Sequence, residues 1–384
     1  MDKLQALVSA AQFDICGGNC PTDKSPLNFI FQAALPGGGS VSLLKVLLTN
    51  ICINDCIYCV NQVGRDIPRC FFQSEELAKL FMNLHAKKLV QGLFLSSGIG
   101  HNASRTMEAM IKTVEILRFR YEFKGYIHLK ILPGASFDFV EAGCRLANRV
   151  SINIEAPTAA HLAKLSRKKD LHHGILARMG WVKQLMTKDE RLVPSGQSTQ
   201  FVVGAAGETD RDILQTASSL YREMDLRRVY FSAFRPVKNA SPAEVMPAPL
   251  MRQHRLYQAD WMLRVYGFSP AEVDLALDVN GNLSLGDDPK LTIAQKQPWL
   301  FPVDINRAHY EELLRVPGIG PLSAKRIFQS RRDHSIDSLR QLQKMGINID
   351  SALPFLWFKG ILNCERQLPL LPPYRIPKTN ASSK

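Results

Sequence analysis

Between residues 41 and 234 the chain alternates short apolar, β-rich runs with longer segments whose apolar residues recur at helical spacing. The β-rich runs fall at 41–48, 92–95, 126–132, 149–154, 198–203 and 228–234; helix-compatible stretches at 75–89, 107–118, 137–147 and 210–222 separate most of them. Strands that alternate with helices of this length predict crossover units and a parallel sheet. Six repeats fall short of the eight that close a barrel, so the expected fold class is α/β with a partial (βα)6 barrel.

Residues two apart on a strand share a face. His128 and Lys130 share one, as do Ser151, Asn153 and Glu155, and Ser198 and Gln200. A polar row on the inner face of a barrel points to a polar ligand, because buried polar groups need partners. The alternative is that these side chains bond to one another.

The pattern changes after the sixth run. Residues 236–249 are Pro-rich and read as a connector, and 250–261 as a helix with His254, Tyr257 and Trp261 on adjacent turns. Asp304-Ile305-Asn306 reads as helix-entry chemistry, 307–316 as a short helix, Pro317-Gly318-Ile319-Gly320-Pro321 as a tight hairpin, and 322–331 as a second helix. Residues 338–360, with Met345-Gly346-Ile347, read as a degenerate second copy. The expected organisation is therefore an extension (1–39), a barrel (40–236), a connector with helices (237–300), a small all-α module (301–368) and a disordered Pro-rich tail (369–384).

Composition adds two points. With 384 residues, 46% hydrophobic and 22% charged, the chain is an ordinary globular one that is long enough for more than one core. No run approaches the roughly 20 apolar residues of a membrane span, and no secretory pattern opens the chain, so the expectation is a cytoplasmic protein with no membrane association. The net charge of +13 is uneven: residues 301–384 hold 13 Lys and Arg against 7 Asp and Glu, more than twice the charge density of the remainder. Such an excess in one module points to a polyanion, a solvated basic surface being the alternative.

Glycines in the 317–321 hairpin let backbone amides at the start of the second helix approach a phosphate, with the helix dipole in favour. The Pro-Gly-Ile-Gly core resembles the helix-hairpin-helix motif. That resemblance implies sequence-tolerant contact with the DNA backbone through Gly318, Ile319, Gly320, Ser323, Lys325 and Arg326, with Arg331 and Arg332 near neighbouring phosphates. Protein–protein contact is the rival use.

Of eight cysteines, Cys52, Cys56 and Cys59 stand in a C-x3-C-x2-C run directly after the first strand. Reduced thiols so spaced are ligands rather than disulfide partners. Three thiolates on a four-iron cluster leave one iron open, whereas zinc would want a fourth ligand such as Cys70. With Tyr58 before the last cysteine, the run resembles the signature of the radical S-adenosylmethionine (radical SAM) enzymes. The resemblance implies a [4Fe–4S] cluster on Cys52, Cys56 and Cys59, with S-adenosylmethionine chelated by the open iron and cleaved to a 5′-deoxyadenosyl radical by one electron from a reductant. It further implies that Ser96-Ser97-Gly98 lies near the cofactor's amino group, Asn153 and Glu155 near its ribose or sulfonium end, and Gly204 with Glu208 at a later glycine-rich contact. Gln200, from the polar face of the fifth strand, joins this set, and Tyr230 and Phe234 flank Ser232 near the adenine.

Taken over nearly its whole length, the chain resembles a family of bacterial radical SAM proteins described as DNA modification or repair proteins, associated with a uracil-DNA-glycosylase-like partner. Two other readings stay open: a radical SAM enzyme of a small molecule whose helical module holds a protein, and a non-catalytic iron–sulfur DNA-binding protein. Cys16 and Cys20 with Cys70 are a possible second metal site, and Cys144 and Cys364 read as core thiols. His172 and His173, beside Lys168 and Lys169, read as solvated surface or a nucleic-acid contact.

Overall fold

In the computed structural model, which describes residues 3–11, 30–34, 40–237, 241 and 244–357, seven strands form one sheet in chain order. They are β1 (Ile30–Ala34), β2 (Ser40–Leu47), β3 (Gly92–Ser96), β4 (Tyr126–Lys130), β5 (Arg149–Ser151), β6 (Gln197–Val203) and β7 (Leu226–Ala233). From β2 to β7 every pairing is parallel; β1 runs antiparallel along β2, with Ile30 opposite Leu44. Helix α1 (Lys3–Ala10) precedes the sheet. The crossovers are α2 (Ser74–Ala86), α3 (Ala103–Glu115), α4 (Phe137–Leu146), the pair α5 (Ala159–Leu165) and α6 (Ala177–Lys188), and α7 (Asp210–Met224). The result is a curled half-barrel with six parallel βα repeats, and β1 is an addition the sequence pattern did not predict.

Strands in such a sheet are covered on both faces, so apolar and polar positions alike are buried. Leu43, Leu44, Val46 and Leu47 of β2 are all buried, and so is every residue of β6. The expected strand at 149–154 ends early, at Ser151. There the Thr199 hydroxyl replaces the ladder, accepting from Ile154 N at 2.9 Å and donating to Ile152 O at 2.7 Å, and Glu155 turns into the left-handed region at φ +66°. Helix starts are set by local caps: Asn102 Oδ1 accepts from Arg105 N at α3, and Thr209 and Asp212 form a capping box at α7.

The chain divides into two compact units, Met1–Asp260 with Leu277–Leu285, and Trp261–Ala276 with Gly286–Lys384, so the stretch expected as one connector is shared between them. Helix α8 (Leu250–Arg264) crosses the boundary. The second unit holds α9 (Pro270–Asp274), α10 (Pro289–Lys296), α11 (Tyr310–Arg315), α12 (Pro321–Ser330), α13 (Leu339–Lys344) and α14 (Ile349–Ala352). It is not wholly helical, because β8 (Val303–Asp304) pairs in parallel with β9 (Leu356–Trp357). Its core gathers Leu313, Ile319, Ile327, Leu342 and Ile347. Gly318 and Gly346 both have positive φ, +77° and +76°, and each is followed by a buried isoleucine, so α13 and α14 repeat the α11–α12 hairpin in shortened form. Among the described residues no helix is long and apolar enough to cross a membrane. Cys16, Cys20, Cys364 and the 369–384 tail lie outside the described residues.

Candidate cluster cleft and helical hairpin

The cysteine loop leaves β2 at the carboxyl ends of the strands and is stitched to the end of β3. Leu48 N donates to Ser96 O at 2.8 Å, Gly98 N to Thr49 O at 2.7 Å, and Ile53 N to Ile99 O at 2.8 Å. The Arg69 guanidinium ties the loop's two limbs together, donating to the carbonyls of Asn50 (2.6 Å), Asn61 (3.0 Å) and Gln62 (2.7 Å). A Cβ on Gly98 would stand 2.5 Å from Ile51 O, so the approach of β3 to the loop requires glycine there. Gly98→Ala is therefore expected to cost about 1–3 kcal/mol, as an overpacked contact does. Thermal melting should register that loss, and iron uptake should fall with it if the loop is displaced.

A second wall comes from far along the chain. Ile57 N donates to Leu165 O at 3.0 Å, the Ser166 hydroxyl and Arg167 N both donate to the Asp55 carboxylate, and Lys168 Nζ donates to Ile53 O at 2.6 Å. Lys169 Nζ donates to Tyr58 Oη and Glu155 Oε1, each at 2.8 Å. The basic run expected as solvated surface or a nucleic-acid contact is thus the clamp of the cysteine loop. No local pattern marks it, because its partners on that loop lie more than 100 residues away.

Between these walls opens a cleft with about 1060 Å³ of empty space, counting its open mouth and the solvent in it. Cys52, Cys56 and Cys59 line it together with Ser96, Ser97, Gly98, Asn153, Glu155 and Gln200. Phe234 and Ser232 reach it too, while Tyr230 lines a smaller void deeper in the lumen with Ser151 and Ser198. Three cleft atoms are buried without a hydrogen-bond partner: Asn61 Oδ1, Ser97 Oγ and Glu155 Oε2. On the polar lumen face, His128 is buried against Phe94 (ring centroids 4.4 Å) with neither ring nitrogen paired. Burial, aided by Arg149 and Lys130, holds its pKa well below the usual value, so the ring is neutral.

Two expected cofactor contacts are not brought to the cleft. Gly204 faces Ala248 and Arg252, and Glu208 turns back into its own loop, where its carboxylate accepts from Gly204 N and, at 3.1 Å, from Ala206 N. One amide on each oxygen holds the Glu208 carboxylate in its own turn, away from the cleft. Cys70 does not line the cleft either; its backbone pairs with Asn50 and Thr49.

Burial raises the pKa of Cys56 and pushes the Cys59 thiol up to about 12, so both sulfurs keep their protons until a metal displaces them. Burial pulls Lys169 down, but Cys56 and Glu155 outweigh it and the net shift is upward. Among the described residues no three His, Cys, Asp or Glu side chains are grouped to hold a metal ion. Thiolates that each take a different iron of a cluster do not converge on one point. The three sulfurs, the unpartnered acceptors beside them and a buried cation fit an anionic iron–sulfur cluster carrying a polar ligand.

In the second unit Gly320 is the N-cap of α12 and Gly318 forms the turn before it. A family profile described as a helix-hairpin-helix motif matches residues 302–347. The second unit carries a helix-hairpin-helix. In this hairpin Lys325 and Arg326 are exposed, and Arg326 Nη1 donates to Met345 O at 3.1 Å. Ser323, expected at the nucleic acid, is buried and donates to Met345 O and Gly346 O, fastening the first hairpin to the second. Ile319 is likewise a core residue, and its carbonyl accepts from the buried Lys290 ammonium.

No curated protein matches the chain. Among solved structures it is similar to the FeFe-hydrogenase maturase HydG from Carboxydothermus hydrogenoformans (14% identity, 56% of this chain and 50% of that one, TM-score 0.45). It is similar also to methylornithine synthase PylB (15%, 56% and 60%, 0.44) and to the cobalamin-dependent S-adenosylmethionine radical enzyme OxsB (10%, 79% and 51%, 0.34). The chain spans about half the length of HydG.

Proposed function

We propose that the chain is a radical SAM enzyme that acts on nucleic acid, with a [4Fe–4S] cluster on Cys52, Cys56 and Cys59 and S-adenosylmethionine beside it. The observation that carries this reading is the meeting of three cysteines, on a loop at the carboxyl mouth of a parallel half-barrel, with a cleft whose buried acceptors are unpaired. When bound, such a cluster supplies the electron that splits S-adenosylmethionine into methionine and a 5′-deoxyadenosyl radical.

The chain's own residues bind and orient. Each unpaired buried polar atom costs about 1–3 kcal/mol, a cost removed by a ligand that offers a matching group. Glu155 Oε2 and Asn61 Oδ1 accept from an ammonium or ribose hydroxyls, and the Ser97 hydroxyl either donates or accepts. In the second unit, the amides that open α12 and the exposed Lys325 and Arg326 suit the phosphates of a duplex backbone, which agrees with the basic excess of residues 301–384. A base inside a duplex cannot enter a cleft of this kind while stacked, so a duplex substrate would present an extruded nucleotide.

The reading is tested by anaerobic reconstitution with iron and sulfide, addition of reductant and S-adenosylmethionine, and measurement of 5′-deoxyadenosine with and without DNA. Formation of 5′-deoxyadenosine that rises with DNA is the expected result. None from a fully loaded protein overturns the radical reading; equal amounts without DNA overturn the nucleic-acid substrate.

A further inference from the structure

Lys169 touches both the cysteine loop, at Tyr58, and Glu155, just beyond the end of β5. Its ammonium is buried, as is the Glu155 carboxylate it pairs with; their side chains are 9% and 4% exposed. Holding two ions out of water is costly and rarely the most stable arrangement for a core. The backbone at Glu155 adds to that cost, since a non-glycine residue at φ +66° is disfavoured by about 1–3 kcal/mol. The pair also leaves Glu155 Oε2 unpaired. Stability alone does not account for such an arrangement, whereas an electrostatic task at the three sulfurs does.

Position identifies the task. Lys169 bonds to Tyr58 Oη, on the residue next to Cys59, and lies 5.5 Å from the centroid of that ring. At Cys56 its charge is felt more strongly than that of Glu155. Reduction of a cluster held here adds one negative charge. A fixed cation on this side favours the reduced form, and the carboxylate beside it opposes that effect. We infer that Lys169 is a positioning residue whose buried charge, set against Glu155, raises the reduction potential of the cluster on Cys52, Cys56 and Cys59. This rests on the cluster reading above and names what else that site needs.

The test is a redox titration, followed by electron paramagnetic resonance, of reconstituted wild-type, Lys169→Met, Lys169→Arg and Glu155→Gln proteins, each with its iron and sulfide content measured. At a poise equal to the wild-type midpoint, Lys169→Met is expected to lower the ratio of reduced to oxidised cluster by about tenfold. One unit charge has an effect of that order at an effective dielectric near 20 over about 10 Å. Glu155→Gln should raise the ratio, and Lys169→Arg should stay near wild type. A purely structural role would move Lys169→Met and Glu155→Gln in the same direction, which would overturn the assignment. If the methionine variant fails to fold, the upward shift in Glu155→Gln and the wild-type value in Lys169→Arg still decide it. A wild-type protein that loads no cluster overturns the cluster reading itself; a loaded cluster whose potential ignores these substitutions overturns this assignment alone.

Discussion

Cys56→Ala is expected to abolish iron–sulfur loading and, with it, all formation of 5′-deoxyadenosine, while the fold survives. Cys56 is the most buried of the three loop cysteines and sits at the centre of the C-x3-C-x2-C run. The loop does not depend on its sulfur for shape. Its backbone is fixed by Arg69, by Asp55 with Ser166, and by the bonds to the end of β3. Loss of one small buried side chain costs about 1 kcal/mol, so the melting temperature should move by a few degrees at most. Cluster assembly, by contrast, loses one of three ligands. Iron and sulfide assays with absorbance spectra should show a loaded wild type and an empty or unstable variant. A Cys56→Ala protein that loads and turns over like wild type would show that these cysteines are not the ligands.

The second large effect is expected at the hairpin, where two glycines on either side of Ile319 should behave differently. A Cβ on Gly318 would lie 2.7 Å from Asn348 O, on a backbone already at φ +77°. Gly318→Ala should therefore destabilise the second unit by about 1–3 kcal/mol and impair DNA retention only through unfolding. Gly320 has room: its φ is −102°, and the nearest atom to an added Cβ is Tyr266 Oη at 3.5 Å. Aspartate is moreover a good N-cap. Gly320→Asp should keep the melting temperature while placing a carboxylate where a phosphate must sit. Retention on DNA should drop by about tenfold or more at low salt, with the difference narrowing as salt screens the repulsion. Unchanged retention in a folded Gly320→Asp protein would remove the hairpin as the DNA contact.

The repeating architecture was legible because its signals are local. Apolar runs of strand length, with polar residues at period two, marked five of the six parallel strands to within about two residues; the fourth of the six, β5, is shorter than its run. The cysteine spacing and the Pro-Gly-Ile-Gly hairpin also lie within single short segments. What escaped depends on distant partners. Lys168 and Lys169 read as solvated surface or a nucleic-acid contact because a basic run in isolation usually is one or the other, and only the fold lays them, with Ser166, against residues 53–58. Glu208 has the residue type of a ligand contact, yet its carboxylate is held in its own turn by two amides. Ser323 has the place of a phosphate contact, yet its hydroxyl spans the two hairpins. In each case residue type was informative about chemistry and silent about which partner would claim it.

The clamp on the cysteine loop also orders events in time. All three thiols precede the residues that hold their loop, Leu165, Ser166, Lys168 and Lys169, by sequence separations near 110. Contacts of such range form late, after the intervening loop entropy has been overcome. On the cluster reading proposed above, a nascent chain that carries the three cysteines would not yet be a competent acceptor, and iron loading would follow closure of the β5–β6 crossover over the cysteine loop.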